Sequence, residues 1–577
     1  MKKLYRLILM TIIVLTGSGW SAFGCTNFLV TKGASVNGSC MITYSADSHQ
    51  LYGELYYWPA QDHPVGSLLD VYEWDTRKYM GKIKQVAHTY SVVGNMNEHQ
   101  LAIGETTYGG INGLVDTTGI IDYGSLIYIT LQRAKNAREA IKVMSDLVSE
   151  YGYASSGESF SIADPNEVWI FEIIGKGPGN KGAVWVARRI PDGYISGHAN
   201  QARIRTFPIA TGKKNSISIT SKDLHRIEDP LVECVYAWDV IDFARSKNLF
   251  SGKDEEFSFS DTFNPINFEG ARFCEIRVWS FFKSVNDEME QYFDYASGHD
   301  LSRRMPLWIK PDRKLSNYDM MNFMRDHLEG TPLDMRIDIG AGSFGLPYRW
   351  RPLTWKVSDA EDAPEYCNER ATSTQQTGFV FVAECRNWLP DPVGGILWFG
   401  VDDAATTVFT PMYCGITKIP ECFRTGNGDM LTYSSTSAFW LFNLVANLCY
   451  LRYDIMSTDA VKVQKQLETQ YISETDVVDA EAQRLFSTDV NQAITFLTRF
   501  SDKMAQNTFD QWKSLSEYLL VKYIDGNIKR EKDGTFERNK WGNPVMPLQP
   551  GYSEAWKKYV VEDTGTKLLV PEGSGGH

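Results

Sequence analysis

Cys25 follows Ala22, Phe23 and Gly24, and small residues one and three places before a peptide bond are what a signal peptidase requires. A cut there makes cysteine the first residue of the mature chain. A terminal cysteine holds a nucleophile and a base in one residue. Its thiol has a reference pKa of about 8.5 and its α-amine one of about 7.7–8.0, so near neutral pH some amine is free to take the thiol proton. The chemistry of such a pair is acyl transfer: attack on an amide carbonyl, an acyl-enzyme, return of the proton to the leaving nitrogen, and hydrolysis. Two other readings of Cys25 stand beside this one. A lipidated cysteine would lose both thiol and free amine, and a structural cysteine would merely open a strand. A lipobox usually has Leu three residues before Cys and a small residue two before, where this chain has Ala22 and bulky Phe23.

Other chemistries lack their residues. The chain contains no H-E-x-x-H, C-x-x-C, G-x-x-x-x-G-K-S/T or G-x-S-x-G, and neither a metal site nor a cofactor is expected. VDDAA (401–405) lacks the spacing of a calcium loop. GPGNKG (177–182) matches G-x-G-x-x-G, but AVWVARRI after it reads as a strand rather than a helix, so the segment is expected to be a hairpin loop. A papain-like pairing of Cys25 with His198 or His88 stays open.

These residues need elements to hold them. FLVT and CMITYS, separated by GASVNGS, predict a hairpin beginning at the cleavage site, and further strands are expected at 100–107, 158–164, 167–174 and 182–190. Residues 125–152 space their apolar side chains by three and four and predict a helix. From 436 onward the chain is rich in helix formers, with helices expected over 436–452, 458–471, 475–486 and 488–525. The domain reading is a leader at 1–24, a sheet-rich core with insertions over 25–435, and a mainly helical extension over 436–577.

The leader has a basic start (Lys2, Lys3, Arg6) and an apolar run from Leu7 to Leu15, too short to span a membrane at about 20 residues. Export to the periplasm or the extracellular space follows, with signal peptidase as the maturation partner and no integral membrane segment after leader removal. The formal charge of −13 becomes −16 once those three basic residues go, because residues 1–24 hold no acid. That balance argues against a nucleic-acid partner. At 577 residues and 43% hydrophobic the chain can bury a large core, and its 16 Trp and 29 Tyr suit a packed interior or a peptide-gripping cleft. Nine cysteines are no disulfide framework at this length, although Cys414 and Cys422 are close enough in sequence to pair.

The run CTNFLVTKGASVNGSCMITYSADSH (25–49) resembles the start of the dipeptidases of peptidase family C69, which are N-terminal-nucleophile hydrolases. GNMNEHQLAIGETTYGG (94–110), WVARRIPDGYISGHANQARI (185–204), FEGARFCEIRVWSFF (268–282) and GTPLDMRIDIGAGSFGLPYRWRPLTW (330–355) are similar to the same family. The resemblance implies an α+β fold, a four-layer αββα sandwich with the helical region added, and cysteine-dependent hydrolysis of dipeptides or short peptides. It implies an oxyanion-hole role for Asn200 in HANQAR, whose side-chain N–H would hold the developing charge. It also implies an arginine that props the nucleophile, Arg277 in EIRVW or Arg272 in GARF. Asp47 matches the family's early acidic position, where it would meet a charged α-amine or serve only as a turn residue. Thr107, Asn97 and Arg272 are carried as substrate-binding positions. Bile salt hydrolases and penicillin V acylases share the core, but they have an Arg where this chain has Tyr44 and an Asn where it has Thr107. An amidase acting on acylated amines is therefore the first alternative, and a lipid-anchored peptide-binding protein the second. Homo-oligomerisation is left open.

Overall fold

The computed structural model describes residues 24–573, so the expected leader, Gly24 excepted, and the last four residues lie outside the described residues. The strands that carry the site are β1 (Asn27–Val30), β2 (Cys40–Asp47), β3 (Ala102–Gly109), β4 (Gly157–Ala163), β5 (Val168–Gly175), β6 (Ala183–Arg189), β7 (Ile195–His198), β8 (Thr377–Cys385), β9 (Ile396–Val401) and β10 (Thr410–Tyr413). One seven-stranded antiparallel sheet runs in the order Trp308–Ile309, β7, β1, β2, β8, β9, β10. A nine-stranded sheet runs Ser218–Thr220, Cys234–Tyr236, β6, β5, β4, β3, Met96–Asn97, Val92–Val93, Tyr57–Trp58, and only its first pair is parallel. The loop at 177–182 joins antiparallel β5 and β6, as a hairpin loop should.

The central strands are apolar on both faces because both faces are covered. Every residue of β1, β2, β4, β5, β8 and β9 is buried. The two sheets face each other where β2 packs on β3 and β4, and helices cover their backs. The stretch expected as one helix is two, α1 (Tyr123–Leu131) and α2 (Ala137–Tyr151), because Asn136 takes an extended conformation and caps α2 by accepting from the Glu139 amide. Buried Ala137, Ala140, Ile141, Met144, Leu147 and Val148 make the stripe that α2 lays on β4, β5 and β6. Behind the other sheet stand α4 (Ala438–Leu451), α5 (Tyr453–Phe486) and α6 (Val490–Tyr523), with α3 (Ile276–Lys283) earlier in the chain beside β7. Helix α5 is continuous through the break expected at 472–474, since nothing in YISET stops it. Among the described residues no helix is long and apolar enough to cross a membrane.

The nine cysteines are all free, so Cys414 and Cys422 do not pair. Their thiols point to different carbonyls, Cys414 to Asp391 and Cys422 to Ala505. The sheets come close at Gly104, where a Cβ would stand 2.4 Å from Asn27 Oδ1. Asn27 uses that approach to donate across the interface to the Glu105 carbonyl at 2.8 Å. Glycine is required there for space rather than for its φ.

Candidate active site

Residues 24–26 extend β1 backward and ladder onto the end of β2: the Gly24 amide donates to the Asp47 carbonyl at 3.0 Å, and the Thr26 and Ser45 backbones bond each other. This pairing places Cys25, 4% exposed, on the wall of a cavity of about 180 Å³ between the sheets. Tyr44, Asp47, Trp74, Asp75, Arg77, Asn95, Glu105, Thr107, Tyr123 and Tyr128 also line it. The thiol lies 3.9 Å from the Tyr44 hydroxyl and 3.8 Å from Glu105 Oε1, and Tyr44 donates to that same oxygen at 2.6 Å. Burial, then the nearby charges of Glu105 and Asp47, push the thiol pKa well up.

Arg277, on α3, binds the pieces together. Its Nη1 donates to the Cys25 carbonyl at 2.6 Å and to Thr26 Oγ1 at 2.7 Å; its Nη2 donates to Asn200 Oδ1 at 2.9 Å and to the Ala199 carbonyl at 3.1 Å. Burial, with Arg370 nearby, lowers the guanidinium pKa to about 10, so it stays charged at neutral pH. Asn200 sits at φ 62°, a left-handed conformation that asparagine tolerates better than most residues. It gives one amide hydrogen to the Thr107 carbonyl at 2.7 Å, which leaves the other hydrogen for a ligand.

The remaining sequence candidates fall in different places. Asp47 is on the wall, but Arg370 Nη2 pairs with it at 2.5 Å and Thr377 donates to it at 2.7 Å, so its charge is already answered within the chain. Arg370 also donates to the Gly24 carbonyl. Arg272 lies in a π-helical turn before α3 and pairs with Glu369, away from Cys25. Asn97 does not line the cavity. Its amide is spent on the Leu131 and Ala134 carbonyls at the end of α1, and its carbonyl caps the turn at His99 and Leu101. Asn95, two residues earlier, lines the cavity instead. The histidine alternatives do not reach the thiol. His198 is buried between Thr106 Oγ1 and Ser161 Oγ, both at 2.7 Å, and His88 is exposed beside Asp62.

A family model described as peptidase family C69 matches residues 54–466, most of the chain. The chain belongs to peptidase family C69. The matched segment begins after Cys25, so the nucleophile candidate rests on its geometry and on the motif around it. Among individual relatives, the chain is 24% identical over 465 residues to a probable dipeptidase of Latilactobacillus sakei, covering 77% of this chain and 84% of that protein. It is 22% identical over 513 residues to probable dipeptidase B of Lactococcus lactis subsp. lactis (strain IL1403), covering 86% and 95%. A dipeptidase of Bifidobacterium longum (strain NCC 2705) is 22% identical over 464 residues, covering 74% and 77%.

In this C69 member three site residues escape sequence reasoning. Glu105 and Glu158 are charged positions inside otherwise apolar strands, QLAIGETT and ESFSIAD, which is a visible signal, but only β3–β4 pairing brings them together. Arg370, the counterion of Asp47, lies in a loop with no motif.

Proposed function

We propose that this protein is a dipeptidase whose nucleophile is the Cys25 thiol and whose general base is the α-amine freed when the leader is cut before Cys25. The observation that carries the reading is Arg277, which grips the Cys25 carbonyl and the Asn200 side chain together at the edge of the cavity. The raised thiol pKa means that the resting group is a neutral thiol. Its proton must then leave during attack, to a base within reach. No histidine fills that role among the described residues, and an amine on the same residue needs no positioning beyond the residue's own.

The thiol passes its proton to the amine as sulfur bonds to the carbonyl carbon. The oxyanion takes a hydrogen bond from Asn200 Nδ2 and another from a backbone N–H, the amine protonates the leaving nitrogen, and water cleaves the thioester. The small cavity, carrying carboxyl groups and Arg77, suits a short substrate charged at both ends. The two facing sheets with helices behind each support the four-layer αββα arrangement of N-terminal-nucleophile hydrolases. A buried thiol facing a polar cavity favours hydrolysis over lipid anchoring, and Tyr44 at the acylases' arginine place favours peptides over acylated amines. Export to the periplasm or beyond accompanies the leader.

Intact-mass analysis of the exported protein tests maturation: a chain starting at an unmodified Cys25 is expected, and a diacylglyceryl mass or an uncut leader would sink the mechanism. Cys25→Ala is expected to cut turnover of dipeptides by at least about 10⁴-fold while the protein stays folded. Unchanged turnover would refute Cys25 as the nucleophile.

A further inference from the structure

We propose that the paired carboxyl groups of Glu105 and Glu158 seat the α-ammonium of the substrate and thereby confine cleavage to the peptide bond beside a free N-terminus. This rests on Cys25 being the nucleophile. Glu105 on β3 and Glu158 on β4 are diagonal neighbours on one face of the sheet, since Thr107 is the register partner of Glu158. They are 2% and 1% exposed, and their carboxyl groups lie within hydrogen-bond reach of one another. Two carboxyls so close cannot both ionise, so the pair keeps one proton and one negative charge. Burial, reinforced at Glu158 by the neighbouring Glu105, raises the pKa of both.

What the pair lacks is a cation. Two other buried acids each have one: Asp47 has Arg370, and Glu275 has Arg203 at 2.9 Å. Among the described residues outside the pair, Glu105 and Glu158 receive only hydroxyl and thiol donors, from Tyr44 at 2.6 Å, Thr107 at 2.9 Å and Cys25, and the Oε2 atom of each has no donor beyond its partner. A buried charge without a counterion is costly, and it persists where a ligand completes it. Glu105 opens onto the cavity that holds the nucleophile.

Distance identifies the ligand. In a peptide with a free N-terminus the amine nitrogen is about 2.5 Å from the first carbonyl carbon. That carbon stands about 3–3.5 Å from sulfur at the point of attack. The ammonium therefore falls within about 6 Å of Sγ, and Glu105 Oε1 is 3.8 Å from the same sulfur. The carboxyl pair thus measures the spacing between a free amine and the carbonyl that Cys25 attacks.

The test compares kcat/KM for Ala-Ala with that for propionyl-Ala, which lacks only the α-amine. The wild-type enzyme is expected to favour Ala-Ala by at least about 10³-fold, and both Glu105→Gln and Glu158→Gln to shrink that ratio by about 100-fold. A ratio unchanged in the variants while both substrates slow equally would overturn the assignment, as would a wild type that accepts the two alike. The wild-type comparison needs no variant to fold, and Glu158→Gln stands in should Glu105→Gln misfold. Cys25→Ala separates the two readings: activity persisting there removes the nucleophile, whereas loss of activity with an unaltered Glu105→Gln ratio removes only the ammonium seat.

Discussion

Two buried polar regions of this molecule are built on opposite rules. In the seam between the C-terminal helices and the seven-stranded sheet, two buried arginines each have an acid partner on α5. Arg386 grips Asp479, which also accepts from Tyr413 at 2.7 Å, and the guanidinium spends its other hydrogens on the Val393 and Gly394 carbonyls. Arg325 pairs with Glu468, which accepts from the Phe409 amide at 2.9 Å. Around the cavity between the sheets, charge is left incomplete among the described residues: the Cys25 thiol on its wall is pushed up, Glu105 on the wall and Glu158 beside it have no cation, and an Asn200 hydrogen is unspent. Neutralised pairs tie α5 to the sheet, whereas unanswered groups wait for something from outside the chain.

The largest effect that tests this contrast is on the seam. Asp479→Ala strands Arg386 in the interior and is expected to cost about 3–5 kcal/mol of stability, read by denaturant unfolding, while kcat/KM of the folded protein at low temperature stays near wild type. A loss of activity without a loss of stability would erase the distinction. Next comes Asn200→Ala, which should lower kcat by about 10²–10³-fold. The hydrogen bonds it gives up, to Thr107 and Arg277, cost no more than about 3 kcal/mol of stability, so the folded enzyme survives to be assayed. Equal losses in the Asp479 and Asn200 variants would show that the two regions do not differ in kind.

The smallest effect sharpens the boundary between them, at His198 behind the site. Burial, then Arg203, depresses its pKa to about 3, so the native imidazole stays neutral. Between pH 6.5 and 3 the unfolded chain binds a proton there that the folded chain does not, and stability falls as the pH falls, by about 1.4 kcal/mol per unit. His198→Gln removes that contribution. The stability difference between wild type and variant should shrink by this slope from pH 6 to pH 4, measured by chemical denaturation. Parallel curves would mean that His198 carries a proton in the native state.

Much of this was legible in the chain. Six strands and the helical C-terminal region follow from local patterning, because their apolar runs are long and their turns are marked by glycine and asparagine. Cys25, Asn200 and Arg277 stand out in the sequence through the residues around them, and the fold brings the three together. The errors share a cause, which is that spacing along the chain says little about partners across it. Asn97 and Asn95 are equivalent in sequence, yet one braces α1 and the other faces the cavity. Arg272 and Arg277 are five residues apart, and the π-helical turn between them sends only the second toward Cys25. Asp47 was expected to meet a substrate amine, but a loop arginine with no local signature reaches it first. The Glu105–Glu158 pair depends on strand register, and the break between α1 and α2 on the extended backbone of Asn136.

The Arg277 clasp also sets when Cys25 acquires its surroundings. Cys25 leaves the ribosome well before the guanidinium that fixes its carbonyl, which is 252 positions later. A nascent chain therefore presents Cys25 with neither Asn200 nor the clasp around it. Cys25, Asn200 and Arg277 come together only once the chain has been made through α3 and packed.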